Sequence, residues 1–253
     1  MKADSMSAEF DTVAEWTAEV AADLGPDYAI PAGCRGSSSP SMLRWFLDRL
    51  APASGRTFLD CGAGVGGPAA FAAREAGVAP VLTDPEAGAC RAARSLFSLP
   101  TVRAGTSLPI ATRSIGTGWS LGVLCTVGDQ AAYVAELRRV LRPDARFGVL
   151  VYTASHPGRL RHDPPDGNTF PTGEVLAALL DGASLRVEES GRTDDFAGVS
   201  PTWQQATAAV QAELESRHGQ DPRWQAAERQ SERMRRLLDA DEVVGRLLVL
   251  VPV

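Results

Sequence analysis

The chain is poor in lysine, in histidine and in long apolar runs, and each shortage removes a class of function. Its 25 basic residues include a single lysine, Lys2, and 31 acids leave a net charge of −6. A phosphate backbone needs a basic field to hold it, so nucleic acid is not an expected partner. No apolar run reaches the length of about 18 residues that crosses a bilayer, so no membrane span is expected. The stretch MKADSMSAEF lacks the apolar segment of a secretory signal, and a cytoplasmic location is expected. Four cysteines, Cys34, Cys61, Cys90 and Cys125, are scattered without a C-x-x-C pair, and there are three histidines. Reduced thiols and no bound metal follow. What remains is 44% hydrophobic and 22% charged residues over 253 positions, the balance of one large globular domain.

The hydrophobic pattern changes period along the chain. SAEFDTVAEWTAEVAADLG places Phe10, Val13, Ala14, Trp16 and Val20 near helical spacing, with Gly25 closing it. DYAIPAGCRGSSSP reads as a loop. SPSMLRWFLDRLAP predicts a helix with Ser39 as its cap, Pro40 at its first position and Met42, Leu43, Phe46, Leu47 and Leu50 on one side. Short apolar strands then alternate with helices: RTFLD, APVLTD, TVRA, GTGWSLGVL and ARFGVLVYT are five expected strands before residue 154. That alternation implies βαβ units and a parallel sheet. ASHPGRLRHDPPDGNTFPT is a long polar connection, a candidate binding loop. GEVLAALLDG predicts a helix and SLRVEESG a strand. Two amphipathic helices are expected over 201–217 and 222–240, the second with Trp224, Ala227, Ser231, Met234, Leu237 and Leu238 on one face, before the strand VGRLLVLVPV.

Between the first strand and its helix lies FLDCGAGVGG, a G-x-G-x-x-G turn at Gly62, Gly64 and Gly67. Such glycines allow a tight turn, and the N–H groups at the following helix start face a bound ligand. Asp60 ends the strand before the turn. A carboxylate there repels a diphosphate and suits an ammonium or sulfonium group. Asp84 ends the second strand, where an acid accepts hydrogen bonds from both hydroxyls of a ribose. Two acids flanking a glycine turn describe a ligand with a ribose, a positive centre and no phosphate, and S-adenosylmethionine fits that description. A purely structural alternative makes Asp60 a turn cap and Asp84-Pro85 the start signal of a helix.

On these residues the chain resembles the class I S-adenosylmethionine-dependent methyltransferases. FLDCGAGVGGPAA is similar to the family's first motif, and its GVGGPA ending to the branch acting on sterols and other lipids. VLTDPEAGACRAAR resembles the second strand and its helix. WSLGVLCTVGDQAAYVAELRRVLRPDARFGVLVYT resembles the fourth and fifth strands with the connection between them. The resemblance implies a Rossmann-like, doubly wound α/β fold: a seven-stranded, mostly parallel sheet with the last strand antiparallel, plus helical cap elements. It implies one methyltransferase domain over 1–253, with an N-terminal helical cap (1–55), a cofactor-binding core (56–155), a substrate loop (156–172) and a helical insertion between the last two strands (200–240).

The resemblance also implies a set of site residues. Asp60, Gly62, Gly64 and Gly66 surround the methionine part of S-adenosylmethionine, Asp84 holds its ribose, and Leu121 and Gly122 line the site. S-adenosylhomocysteine is the product. Family members usually carry an acid after the third strand that binds the adenine amino group. AGTSLP has none, so Thr106, Ser107 or a backbone carbonyl takes that place. Arg35, with Ser37, Ser38 and Ser39, is a candidate for the cofactor carboxylate or an anionic acceptor group. His156, His162 and Tyr152 are the candidate catalytic bases.

The expected activity is methyl transfer to carbon, oxygen or nitrogen of a small-molecule acceptor, a secondary metabolite or an isoprenoid or lipid-like compound, by a monomer or homodimer. If Arg35, Arg159 and Arg161 converge, the acceptor is an isoprenoid diphosphate. The alternatives are an NAD-dependent oxidoreductase and a non-methylating cyclase or interaction protein that binds the same cofactor.

Overall fold

The computed structural model describes residues 8–34, 38–158, 160–196 and 198–253. Seven strands form one sheet: β1 (Thr57–Cys61), β2 (Ala79–Asp84), β3 (Thr101–Arg103), β4 (Ile115–Leu121), β5 (Leu141–Ala154), β6 (Leu185–Arg192) and β7 (Val243–Pro252). Their spatial order is β3-β2-β1-β4-β5-β7-β6. All run parallel except β7, which is antiparallel to both neighbours, β5 and β6. The strand order reverses at β1, between β2 and β4. In open α/β sheets a ligand binds at such a switch point, at the carboxyl ends of the strands.

Nine α-helices are described: α1 (Val13–Leu24), α2 (Pro26–Gly33), α3 (Pro40–Leu50), α4 (Gly67–Ala76), α5 (Ala87–Phe97), α6 (Gln130–Val140), α7 (Gly173–Gly182), α8 (Pro201–His218) and α9 (Pro222–Asp239). On one face of the sheet, α3 and α4 bury Leu43, Phe46, Leu47, Leu50 and Phe71 against Phe58, Trp119, Leu150 and Val249. On the other, α6 and α7 bury Tyr133, Val134, Leu137, Leu176 and Leu180 against Leu59, Phe147, Val149 and Val151. Helices on both faces explain why β1 and β4 read as apolar runs rather than as alternating patterns.

A third apolar cluster lies outside the sheet. Val13, Val20 and Ala21 of α1, Ala32 of α2, Val210 and Leu214 of α8, and Trp224 and Ala227 of α9 pack together as a helical cap. Beside it, Ala14 and Ala18 of α1 pack on Ala89 and Ala92 of α5, with Val65 of the glycine turn against them. The insertion between the last two strands and the N-terminal helices therefore pack as one body.

Several local expectations are corrected. DYAIPAGC is not a loop: Pro26–Gly33 is a helix with Pro26 in its first turn and Pro31 inside it. Proline removes one N–H bond from a helix interior, and Pro31 is buried in the cap, so packing decides the outcome. Phe10 is exposed and sits in a π-helical turn, Ala8–Thr12, ahead of α1. On α9 the buried face runs through Gln230 rather than the exposed Ser231. The Ser39 cap is present, its hydroxyl accepting from the Met42 N–H at 3.3 Å.

Candidate active site at the carboxyl edge of the sheet

β1 ends on a buried carboxylate. Asp60 is 1% exposed, and its Oδ2 has no hydrogen-bond partner. Its neighbour in register on β4 is Trp119, also fully buried. Burial pushes the Asp60 carboxyl up to about 7, opposed by the Trp119 indole and reinforced by the negative charge of Asp84. The Trp119 N–H itself reaches no partner at hydrogen-bond geometry. A buried, unpaired acceptor of this kind is rare in folded proteins and suits a cationic or donating ligand.

The chain leaves Asp60 through Gly62, Gly64 and Gly66 at φ 71°, 54° and 88°. The N–H groups of Gly62 and Ala63 both donate to the Thr83 carbonyl, at 2.8 and 3.1 Å, which ties the turn to β2. Gly64 faces open space: a Cβ built there meets nothing within 4 Å. Gly67 is required for a different reason. A Cβ there would fall 2.2 Å from the Gly33 carbonyl carbon and 2.5 Å from the Cys34 nitrogen, so the end of α2 presses directly on the start of α4.

Asp84 is not the N-cap of α5; Glu86 holds that position. Instead Asp84 Oδ2 accepts the Gly64 N–H at 2.8 Å, and Oδ1 accepts the Glu86 N–H at 2.9 Å. Burial raises its carboxyl to about 6, opposed by those two hydrogen bonds and reinforced by Glu86 and Asp11. An ionised carboxylate has about four lone-pair sites. Two are used here, so two remain for the paired hydroxyls of a ribose. Asp60 Oδ2 without a partner, open space over Gly64 and two spare acceptor positions on Asp84 fit S-adenosylmethionine.

The remaining residues singled out from the sequence spread around this edge. Thr106 and Ser107 are exposed in the bend after β3, which follows Ala104, whose N–H donates to the Asp84 carbonyl at 2.9 Å. Leu121 is buried, and Gly122 turns the chain at φ 78° with its N–H on the Leu150 carbonyl. Tyr152 is half-buried near the end of β5; burial pushes its phenol up to about 12, with Cys125 adding to the rise. His156 is exposed. The His162 ring bonds Glu242 through Nδ1, which places it at the loop's anchor. Arg35, Ser37 and Arg159 lie outside the described residues.

Sequence patterns did not single out the residues that hold the 156–172 loop in place. Glu242, just ahead of β7, accepts the N–H groups of Arg161 and His162 and pairs with the Arg161 guanidinium at 3.4 Å. Desolvation would raise its carboxyl, but hydrogen bonds from His162 and from both N–H groups outweigh this and lower it. Asp166 bonds Gln230 and Arg233 of α9. Thr169 donates its N–H to the Cys125 carbonyl at 2.7 Å. The loop therefore crosses the carboxyl ends of β4 and β5. Asp11 also had no signal; its Oδ1 accepts the Gly88 N–H at the start of α5. Among the described residues, no His, Cys, Asp and Glu cluster could hold a metal ion, and no helix is long and apolar enough to cross a membrane.

Comparison with known proteins agrees with this geometry. Residues 59–149 match the family model described as a methyltransferase domain. No curated protein matches the sequence significantly. Among solved structures, the chain is similar to the 4+2 cyclase SpnF (TM-score 0.65, 20% identity, covering 84% of this chain and 80% of that one). It is similar to a putative sarcosine dimethylglycine methyltransferase from Galdieria sulphuraria (TM-score 0.63, 17% identity, 83% and 84%). It is also similar to a geranyl diphosphate C-methyltransferase from Streptomyces coelicolor (TM-score 0.59, 13% identity, 84% and 76%). Residues 59–149 thus match a methyltransferase-domain model, and the chain carries the fold of the class I S-adenosylmethionine-dependent methyltransferases.

Proposed function

We propose that the protein transfers the methyl group of S-adenosylmethionine to a small-molecule acceptor, a secondary metabolite or an isoprenoid or lipid-like compound. The observation that carries this reading is the pair of buried acids on either side of the glycine turn. Asp60 Oδ2 has no hydrogen-bond partner, and Asp84 has acceptor capacity to spare. A diphosphate in the same place would meet two carboxylates, which disfavours the NAD-dependent alternative.

In this reading Asp60 pairs with the amino group of the cofactor, Asp84 accepts its ribose hydroxyls, and Thr106 and Ser107 border its adenine. Leu121 and Gly122 form the floor beside the reacting end. When bound, S-adenosylmethionine supplies a methyl on an already activated sulfonium. The protein has then to position the nucleophile and keep water out. The helical cap and the pinned 156–172 loop suit that task. Tyr152, with no hydrogen bond to its hydroxyl among the described residues, is the proposed group to orient the acceptor; burial keeps its phenol protonated, so it donates rather than takes a proton. His156, exposed, and His162, held by Glu242 through Nδ1, are the candidates to take the acceptor's proton.

The apolar cap and the similarity to a geranyl diphosphate C-methyltransferase support an isoprenoid-like acceptor. A diphosphate group on it would need Arg35 and Arg159, because Arg161 already pairs with Glu242. The similarity to SpnF keeps a cyclase on this scaffold as the second reading. Calorimetric titration with S-adenosylmethionine, S-adenosylhomocysteine and NAD tests the assignment. Binding of the first two with NAD silent supports it. Binding of NAD alone overturns it, and cofactor binding without methyl transfer to any acceptor favours the cyclase.

A further inference from the structure

Two polar atoms buried in the candidate site lack hydrogen-bond partners, and they belong to neighbouring residues. Asp60 on β1 and Trp119 on β4 face each other in the parallel register, so their side chains leave the sheet on the same side. Both residues are buried, and Asp60 Oδ2 and Trp119 Nε1 are each without a hydrogen-bond partner. An acceptor without a donor thus lies beside a donor without an acceptor. The indole already acts on the carboxyl, opposing the rise that burial imposes, yet the two are not aligned as a hydrogen bond. Unpaired buried groups are costly, and both costs fall when the two meet.

The indole is the fixed member of the pair. Its ring stands edge-on to Phe58, with centroids 4.7 Å apart, and lies tilted against Phe46 at 6.3 Å. On β5, Gly148 is in register with Trp119. A Cβ at Gly148 would fall 2.8 Å from Cδ1 of Phe46 and 3.3 Å from Cβ of Trp119, so the glycine leaves room for both rings. A ring packed this closely does not turn without opening the core. The carboxylate is the movable member, because the last torsion of an aspartate is broad.

The groups around Asp60 pull in opposite directions. Asp84, at the end of β2, disfavours a negative charge on it. Cys34, just past α2, and Cys61 beside it on β1 both feel its charge, and burial keeps both as thiols. Tyr133 of α6 feels it too and stays neutral through burial. Arg74 of α4 acts on Cys34. The Trp119 indole favours the ionised form of Asp60. An ammonium brought to the carboxylate favours the same form.

We propose that Trp119 is a positioning residue for the amino group of the cofactor: the Asp60 carboxylate turns one oxygen onto the indole N–H, holds the ammonium with its remaining acceptor sites, and gives up its proton to solvent as the ligand binds. This inference rests on the methyltransferase reading, in which Asp60 takes the amino group, and deepens it. A carboxylate has about four lone-pair sites, enough for both donors. No bond of the cofactor changes; the O–H bond of Asp60 breaks and its proton leaves to water. Burial raises the free carboxyl to about 7, so below that pH binding must first expel the proton, and affinity falls as pH falls.

The test compares S-adenosylhomocysteine with methylthioadenosine, which has the same nucleoside but no amino group, by calorimetry on the full chain. From about pH 6 to about pH 8, the affinity for the first relative to the second is expected to rise about ten-fold. The ratio removes the contribution of Asp84, whose place at the ribose both ligands share. Trp119→Phe keeps an aromatic ring and removes the N–H, and is expected to move the midpoint of that rise up by about one pH unit. A purely structural role would weaken both ligands alike and leave the midpoint in place, which overturns the proposal. NMR of the wild type with labelled indole nitrogens does not depend on how the variant folds. One indole N–H signal, missing in Trp119→Phe, is expected to shift with pH in the free chain and to move downfield with S-adenosylhomocysteine. A Trp119 signal indifferent to pH and ligand overturns the proposal, as does equal pH dependence for the two ligands. S-adenosylhomocysteine failing to bind at any pH overturns the methyltransferase reading and this step with it, and the indole signal of the free chain tells that failure from a failure of the Asp60–Trp119 pair.

Discussion

The backbone N–H of Gly64 donates to Oδ2 of Asp84 at 2.8 Å, so the glycine turn after β1 and the acid ending β2 form one hydrogen-bonded unit. Two elements twenty residues apart in sequence are locked together at the point where a ligand would touch both. The acid organises the turn and still has acceptor positions that no internal donor uses.

Asp84→Ala is therefore expected to affect both binding and stability. Losing two charge-assisted contacts to a ribose should weaken S-adenosylhomocysteine binding by about a hundred-fold, and stranding the Gly64 and Glu86 N–H groups should cost about 1–3 kcal/mol of stability. Calorimetry and urea unfolding read the two effects. Unchanged affinity in a folded variant removes the ribose assignment.

Asp60 gives a pH signature. Its folded-state carboxyl is raised from 3.8 to about 7, so between those values the folded chain holds a proton that the unfolded chain has released. The associated stability is fully present below pH 3.8 and is lost as pH rises through about 7. Holding the ion buried at pH 8 costs on the order of 4 kcal/mol. Asp60→Asn is expected to melt higher than wild type at pH 8, with the gap closing toward pH 4, while cofactor binding is lost. Parallel melting curves at all pH values would contradict the burial of an ionisable group there.

Two glycines are expected to fail differently. Gly67→Ala drives a methyl into the backbone of Gly33 and Cys34 and should destabilise the fold by about 1–3 kcal/mol. Gly64→Ala meets no neighbour, so its stability loss is confined to backbone strain at positive φ, about 1–2 kcal/mol. Its methyl projects where the cofactor would lie, and affinity for S-adenosylhomocysteine should fall more than ten-fold. Denaturant unfolding alongside calorimetry separates the two.

Glu242→Ala is expected to free the middle of the 156–172 loop. The N–H groups of Arg161 and His162 lose their acceptor, and Arg161 its carboxylate. Hydrogen exchange at residues 160–163 should accelerate by about ten- to a hundred-fold, with cofactor affinity little changed. Protection equal to wild type would show that the Asp166 clamp alone holds the loop.

The parts legible in the sequence are those whose physics is local. APVLTD spans the whole of β2, and GEVLAALLDG the whole of α7, because apolar period and flanking punctuation agree there. The glycine turn and its two acids were legible because their chemistry and spacing are contiguous. Pro31 misled, since a proline and a glycine close together read as a loop, whereas burial in the cap holds them in α2. Ser231 misled because helical spacing cannot tell it from Gln230, which is buried to bond Asp166. Glu242 reaches Arg161 across 81 positions, and Asp11 reaches Gly88 across 77, so no local pattern marks either.

The most direct measurement is a crystal structure of the full chain with S-adenosylhomocysteine. The account predicts the ligand's amino group on Asp60, its ribose hydroxyls on Asp84 and its chain over Gly64. A ligand bound with its ribose away from Asp84 would contradict it.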